Sequence, residues 1–368
     1  MCIPMRKYRA VCLSVHNTST MAFILATITA PMVILLFYFT IYVESFVLVQ
    51  SVAQENDRPI IGILSQELSH RLNGIYGDQQ FDSYLAASYV KYVESSGARV
   101  VPIWIGQPEE YYKSLLTRIN GVIFPGGSSW FDRSGGYAEA GEKIYRIALE
   151  MNDHGDYFPI WGTCLGFELM TYLAANGVEH RVNCSSSNQI LPLIFKPDFM
   201  QSRMFKSAQR DIIDILKQEN VTANFHHFCV TEAGLARVNL TDSFKVISIN
   251  RDKDGLEFVS SLEHVSYPFY AVQFHPEKNN YEWIPRLNIP HGRNSIRISQ
   301  YFADFFVSEA RKNQHRFRSF EEESKNLIYN YSPTYTGYQP KSSFEQVYLF
   351  KQKPNSIDET YSSNQILL

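Results

Sequence analysis

A cysteine lies between two glycines in the segment Gly162-Thr-Cys164-Leu-Gly166. The residues before it are apolar, as in a buried strand, and those after it have helical spacing. A nucleophile at a strand-to-helix turn has the elbow arrangement of α/β hydrolases, here with a thiol. The helix N-terminus directs its dipole and free N–H groups at the sulfur, which lowers the thiol pKa. The segment predicts Cys164 as a nucleophile, although a buried structural cysteine fits so short a pattern equally well.

A histidine and a glutamate follow a second apolar strand, in Ala271-Val-Gln-Phe-His275-Pro-Glu277. Histidine is the usual base for a cysteine nucleophile, and a carboxylate fixes its tautomer. The wide separation from Cys164 suits partners that meet in space rather than along the chain. We predict His275 as the base and acid, and Glu277 as the carboxylate that orients it.

A glycine-rich turn follows a third strand, at Pro125-Gly126-Gly127. Backbone without side chains can come close to a substrate and turn its N–H groups inward. Together, the N–H groups of Gly127 and Leu165 could form an oxyanion hole, with Gly126 as a substrate contact. A simple turn remains the alternative, because Pro-Gly-Gly is common in turns.

These three segments are positioned by alternating strand and helix patterns. In the first half, strand patterns cover 60–64, 99–104, 121–124 and 158–161, and helical patterns cover 84–96, 109–119, 138–151 and 165–175. In the second half, helical patterns cover 209–217 and 295–312, and strand patterns cover 244–250, 256–261 and 269–273. This order predicts an α/β fold, a three-layer αβα sandwich around a mostly parallel sheet.

The N-terminal region differs in character from the rest of the chain. An uncharged stretch at 21–43, long enough to span a bilayer, follows a basic start. We favour a signal peptide cleaved near Ala53 over a retained signal anchor. The predicted organisation is a signal peptide or anchor at 1–53, one globular domain at 54–345 and a polar C-terminal tail at 346–368.

Sequons in the chain are consistent with a secretory route. An oxidising compartment on that route would determine whether the cysteines are paired or free. Four asparagines beyond the leader lie in N-x-Ser/Thr sequons and are candidate glycosylation sites: Asn183, Asn220, Asn239 and Asn330. Without the leader, the chain keeps Cys164, Cys184 and Cys229. Either Cys184 and Cys229 form a bridge or all three thiols are free, and we favour free thiols. No Cys/His cluster has zinc spacing, so we predict no metal and no cofactor.

Composition limits the classes of partner. The formal net charge is −3 and the globular part has no basic block, which argues against a nucleic-acid partner. Hydrophobic residues make up 45% of the chain, enough for a sizeable core.

The order of the three segments resembles the class-I glutamine amidotransferase superfamily. Longer stretches are similar to the gamma-glutamyl hydrolase family, peptidase family C26. They include Ala86-Ala-Ser-Tyr-Val-Lys-Tyr92, the stretch 155–168, and His275-Pro-Glu-Lys278. The resemblance covers about residues 58–345 and includes stretches, such as 86–92, to which we assign no catalytic duty.

This resemblance implies a lysosomal or extracellular enzyme that hydrolyses γ-glutamyl bonds of folylpoly-γ-glutamates, and of antifolate polyglutamates, through a thioester. It implies the catalytic roles already predicted, and it adds the substrate contacts His226, Tyr76 and Glu168. The chain carries extra residues after Tyr76 and diverges at 179–191, so contacts in that stretch cannot be assigned from the family.

Two other functions fit the sequence less well. The glutaminase half of an amidotransferase is disfavoured, because no synthetase domain is attached and the leader directs export. A secreted non-enzymatic protein is disfavoured, because Cys164, His275 and Glu277 occur together. We expect a folylpoly-γ-glutamate substrate, no nucleic acid and no synthetase partner, and we leave homodimerisation open.

Overall fold

The computed structural model describes residues 55–76 and 81–351. These residues belong to one compact unit that begins at Glu55. The predicted leader, the uncharged stretch 21–43 and residues 352–368 of the predicted tail lie outside the described ranges. Within those ranges, no helix has the length and apolar character needed to cross a membrane.

An eight-stranded sheet forms the centre of the fold. In spatial order its strands are β4 (Arg99–Ile103), β1 (Ile60–Leu64), β5 (Val122–Phe124), β6 (Ile160–Thr163), β12 (Phe269–Val272), β11 (Glu257–His264), β10 (Phe244–Arg251) and β8 (Ile194–Phe195). The first five pair in parallel, and the last three are added antiparallel. The carboxyl ends of β5, β6 and β12 therefore meet at one edge of the sheet, where ligand sites of open α/β sheets lie.

Helices cover both faces of this sheet. They are α1 (His70–Tyr76), α2 (Ala87–Glu94), α3 (Glu109–Leu116), α4 (Tyr137–Asp153), α5 (Leu165–Ala174), α6 (Arg210–Gln218), α7 (Glu232–Arg237), α8 (Lys278–Tyr281), α9 (Arg293–Ala310) and α10 (Phe320–Asn326), with 3₁₀ turns at Phe199–Gln201 and Ile328–Asn330. Alternate residues of β1 enter different cores: Ile60 and Leu64 pack with α3, α4 and α5, whereas Ile61 and Ile63 pack with α2, α6 and α9. The predicted three-layer αβα fold is thus confirmed.

A four-stranded sheet lies beside the main one. It contains β13 (Thr334–Tyr335), β14 (Gln346–Phe350), β3 (Ser83–Ala86) and β2 (Gln66–Glu67) in that order. Two sequence predictions need correction here. The helix predicted at 84–96 begins only at Ala87, because the residues before it pair with β14. The polar tail predicted at 346–368 begins with this strand, because Val347 and Phe350 are apolar and become buried.

The sequence patterns did not predict an antiparallel ribbon of β7 (Val182–Leu191) and β9 (Thr222–Cys229). A disulfide between Cys184 and Cys229 crosses this ribbon. The preference for three free thiols was therefore wrong: strand pairing brings together two cysteines that are 45 residues apart in sequence. Cys164 is the free cysteine of the described residues.

Removing this bridge should destabilise the protein. We expect the double variant Cys184→Ser/Cys229→Ser to lose about 2–4 kcal/mol of unfolding free energy, since the bridge restricts the unfolded chain. Urea denaturation of the oxidised protein and the double variant measures the difference. Equal midpoints for the two proteins would contradict the expectation, and the single variant Cys164→Ser, which leaves the bridge intact, is the control.

Candidate active site

Cys164 connects β6 to α5 in a conformation that non-glycine residues rarely adopt, with φ 51° and ψ −105°. Close backbone packing explains the flanking glycines. A Cβ added to Gly166 would overlap the carbonyl oxygen of Phe124 on β5, and one added to Gly162 would lie 2.6 Å from the carbonyl oxygen of Gly166. The turn is held where α5 contacts the sheet, and its strain is of the kind found at functional sites.

His275 and Glu277 form a buried pair just after β12. Nδ1 of His275 lies 2.7 Å from Oε1 of Glu277, and the two residues are 5% and 0% exposed. The backbone N–H of His275 donates to the carbonyl of Ala223 on β9, which anchors this segment to the ribbon. Since Glu277 accepts the Nδ1 proton, the neutral ring keeps its lone pair on Nε2.

The nucleophile, the histidine and the glycine turn meet at Gly126. A Cβ built on Gly126 would lie 2.6 Å from Cε1 of His275 and 3.1 Å from Cβ of Cys164. The structure therefore brings together all three segments that the sequence singled out. The described residues show no hydrogen bond between Cys164 and His275, and such pairs often tighten only when substrate binds.

The two predicted oxyanion donors differ in what they face. The N–H of Gly127 donates to no acceptor among the described residues, and the N–H of Leu165 faces the sulfur of Cys164. The N–H of Gly127 is available to a substrate oxygen, and that of Leu165 lies beside the nucleophile, where the oxyanion would form. In contrast, the N–H of Gly126, predicted as a substrate contact, donates to the hydroxyl of Tyr89 at 2.7 Å. Gly126 can therefore offer a substrate no backbone N–H. It can only leave room for one, because it has no side chain.

Burial sets the charge state of the catalytic group. Burial raises the pKa of Cys164 well above its usual value, and the carboxylates of Glu168 and Glu277 raise it further. The N–H of Leu165 lowers that pKa, but burial outweighs it, so the net shift is upward and opposite to the predicted lowering. Burial also lowers the pKa of His275, although Glu277 opposes this. The resting pair is a thiol beside a neutral imidazole.

Glu168 lies one helical turn after Cys164, and both of its carboxylate oxygens have partners. Oε2 accepts from Arg181 at 2.9 Å, and Oε1 accepts from Gln273 at 3.1 Å. Burial raises the pKa of Glu168 to about 7, and the charge of Arg181 opposes the rise. The Arg181 guanidinium also lies 4.1 Å from the centre of the Phe131 ring. Sequence reasoning missed Arg181, since it lies in the divergent stretch 179–191.

His226 is buried on β9 beside the disulfide. Its Nδ1 lies 3.0 Å from the carbonyl oxygen of Phe228, and its Nε2 lies 3.3 Å from Oδ1 of Asn224. Burial lowers its pKa to about 3, so the ring is neutral and its one N–H can donate to only one of these acceptors. The neighbouring ring of Phe225 packs against His275, 6.0 Å between centroids, which brings β9 to the site.

One further set of potential metal ligands was not predicted. Donor atoms of Cys184, His226 and Cys229 lie within 4.8 Å of one another. Both sulfurs belong to the disulfide, however, and the thiolate is the form that binds metal. The oxidised protein therefore offers only the imidazole there.

The remaining predicted site residues lie away from these contacts. The Tyr76 ring packs edge-on against Phe81, and no hydrogen bond within the described residues joins Tyr76 to Cys164 or His275. All four candidate glycosylation asparagines are exposed: Asn183, Asn220, Asn239 and Asn330. Their exposure meets the requirement for glycan attachment, and their use stays a prediction.

Comparison with known proteins gives consistent results. The sequence profile of the family described as Peptidase C26 matches residues 59–277. "Gamma-glutamyl hydrolase B" of Dictyostelium discoideum is 39% identical, over 84% of this chain and 88% of its own length. "Gamma-glutamyl hydrolase" of Homo sapiens is 42% identical, over 80% and 90% of the two chains.

Among solved structures, a glutamine amido transferase from Methylobacillus flagellatus aligns with 71% of this chain and 97% of its own. The two are 10% identical, with a TM-score of 0.40. A likeness at this level adds nothing to the fold assignment, which stands on the strand order itself.

Proposed function

The chain belongs to the peptidase C26 family, and on that premise we propose that it is a cysteine-type hydrolase of γ-glutamyl peptide bonds. The observation that carries the proposal is the convergence of Cys164, His275 and Gly126 at the carboxyl edge of the sheet. A thiol, a neutral imidazole with a free Nε2 and unused backbone N–H groups are the parts that acyl transfer requires.

The mechanism has two halves. In the first, Nε2 of His275 takes the thiol proton while the Cys164 sulfur attacks the γ-carbonyl carbon. The N–H groups of Gly127 and Leu165 bind the oxyanion. The C–N bond then breaks, and His275 gives its proton to the leaving amine, which leaves a thioester on Cys164.

In the second half, His275 takes a proton from water and the resulting hydroxide attacks the thioester carbonyl. The C–S bond breaks, the γ-carboxylate is released and the thiol is protonated again. Glu277 holds Nδ1 throughout and stabilises the imidazolium that forms twice per cycle. Acyl transfer by this route needs no metal or organic cofactor.

The finer substrate assignment is a folylpoly-γ-glutamate, whose tail carries one α-carboxylate per residue. A buried cation beside the site supports an anionic substrate. Lys278 is 3% exposed, and its charge stabilises the carboxylates of Glu277 and Glu282, without a direct ion pair among the described residues. Its Nζ lies 4.6 Å from the centre of the Phe344 ring and 5.6 Å from that of Phe225. A substrate carboxylate would give this ammonium group a direct partner.

A lysosomal or extracellular location is part of the proposal. A disulfide persists in oxidising compartments, and the exposed sequons are consistent with the same route. Terminal sequencing of the secreted protein and mapping of its glycans test the location.

Linkage specificity tests the function. A γ-glutamyl amide presents a free α-carboxylate and a nitrogen substituent beside the scissile carbonyl, where an α-peptide presents its side chain. A site that binds these polar groups rejects a substrate that leaves its partners unpaired, by about 10⁴-fold in favourable cases. We expect cleavage of poly-γ-glutamate and little or none of poly-α-glutamate of equal length. The measurement is kcat/KM for each, with free glutamine as a third substrate.

The outcome also separates the alternatives. Glutamine hydrolysis as fast as γ-peptide hydrolysis would favour a glutaminase, and no turnover of any of the three would favour a non-enzymatic protein. The chain-length products of a folyl-pentaglutamate then distinguish release of single glutamates from release of short poly-γ-glutamate.

A further inference from the structure

The hydroxyl of Tyr89 lies between the two halves of the site. Tyr89 is 1% exposed, on α2, within the stretch 86–92 to which the sequence assigned no catalytic duty. Its oxygen accepts the Gly126 N–H at 2.7 Å and lies 3.4 Å from Nδ1 of His275. It thus touches both the glycine turn and the histidine.

The hydroxyl proton of Tyr89 needs an acceptor. In the His275–Glu277 pair, only one carboxylate oxygen lacks a hydrogen-bond partner among the described residues. Nδ1 of His275 is occupied by its own proton, which it donates to Oε1 of Glu277. Oε2 of Glu277 is buried and has no hydrogen-bond partner among the described residues. An unpaired buried carboxylate oxygen is costly. Burial, the charge of Glu277 and a side-chain hydrogen bond with Glu277 raise the pKa of Tyr89 well above its usual value, so its hydroxyl lies within reach of this carboxylate.

We propose that Tyr89 is a positioning residue, whose hydroxyl accepts from Gly126 and donates to the Glu277 carboxylate. One side chain then fixes the oxyanion turn relative to the His275–Glu277 pair. This inference rests on the proposed function, because positioning matters only if the pair and the turn act on one substrate.

The same helix offers a matched control. Tyr92 follows one turn later, is 2% exposed, and its hydroxyl has no partner among the described residues. Tyr89→Phe and Tyr92→Phe therefore make the same change in the same helix, but only the first removes hydrogen bonds.

The first measurement is the steady-state kinetics of poly-γ-glutamate hydrolysis. We expect Tyr89→Phe to lower kcat about 10- to 100-fold with little change in KM, since it loses a hydrogen bond to a charged group. Tyr92→Phe should stay near wild type. In the Glu277→Gln background, Tyr89→Phe should have a smaller effect, because the two act as a unit.

The pH profile separates positioning from mere folding. Burial lowers the pKa of His275, so the acid limb of kcat/KM should lie below the ordinary histidine value of about 6.5. Without the Tyr89 donor, Glu277 attracts the imidazolium more strongly, and the limb should move to higher pH. The groups that face His275 are Glu277 and Lys278 on its own segment, Cys164 between β6 and α5, His226 on β9 and Tyr89 on α2.

Alkylation of Cys164 by iodoacetamide gives a readout that needs no substrate. We expect the pH of half-maximal alkylation to change in Tyr89→Phe and to match wild type in Tyr92→Phe. If wild type fails to cleave γ-peptides but this shift appears, the proposed function fails and the positioning role stands. Identical kinetics, acid limbs and alkylation profiles in the two variants would overturn the positioning role.

Discussion

Replacing Cys164 with alanine is expected to lower kcat/KM by on the order of 10⁴-fold or more, since no other group can form the thioester. The fold should survive. Alanine keeps the Cβ at the elbow and removes only the sulfur, and Cys164 makes no disulfide. Steady-state assays with a γ-glutamyl peptide, together with the thermal midpoint, measure both effects. Substantial remaining activity would exclude Cys164 from the mechanism.

The backbone strain at Cys164 provides a control for this experiment. At φ 51°, alanine keeps the strain, whereas glycine releases about 1–3 kcal/mol of it. Glycine also loses more conformational entropy on folding than alanine, which costs about 0.5–1 kcal/mol of stability. This cost is smaller than the strain energy that glycine releases. Cys164→Gly should therefore be as inactive as Cys164→Ala and at least as stable. If Cys164→Gly were clearly the less stable, the elbow would not be strained.

Replacing His275 with asparagine is expected to lower kcat/KM roughly 10²–10⁴-fold, because the thiol loses its proton acceptor and the leaving amine its donor. The resting thiol makes this dependence strong: burial raises the pKa of Cys164, so little thiolate exists without the base. The measurement is kcat/KM for the poly-γ-glutamate substrate, with far-UV circular dichroism to verify the fold.

His226→Asn is the matched comparison, since both histidines are buried and the change is identical. If His226 binds substrate, its replacement by asparagine loses one hydrogen bond. We then expect kcat/KM to fall about 10-fold, so that the variant remains active. If the two variants showed equal and mild losses, the assignment of His275 as the base would be wrong.

The fold was largely predictable because its determinants are local. Short apolar strands and helices of regular spacing identify the βα units, and the cysteine elbow needs only residues 162–166. The error at 84–96 has a physical cause. Ser83–Ala86 pairs with a strand more than 250 residues away, and nothing in the local pattern reveals that partner.

The site was predictable in part. Cys164, His275 and Gly126 come from short motifs, and the structure brings them together. Arg181 and Tyr89 were not found, because their roles depend on contacts between segments distant in sequence. Burial raises the pKa of Cys164, whereas the sequence predicted a lowering, since the helix N-terminus can be read from sequence but the depth of burial cannot.

Strand β14 links the timing of synthesis to activity. It pairs with β3, where Tyr84 lies opposite Leu349; Tyr84 donates to Gln66, and Gln66 donates to the carbonyl of Pro125 in the glycine turn. This support for the turn stays incomplete until residue 350 has left the ribosome. The growing chain can fold its central sheet earlier. The site therefore gains this support only after β14 has been synthesised and has paired with β3.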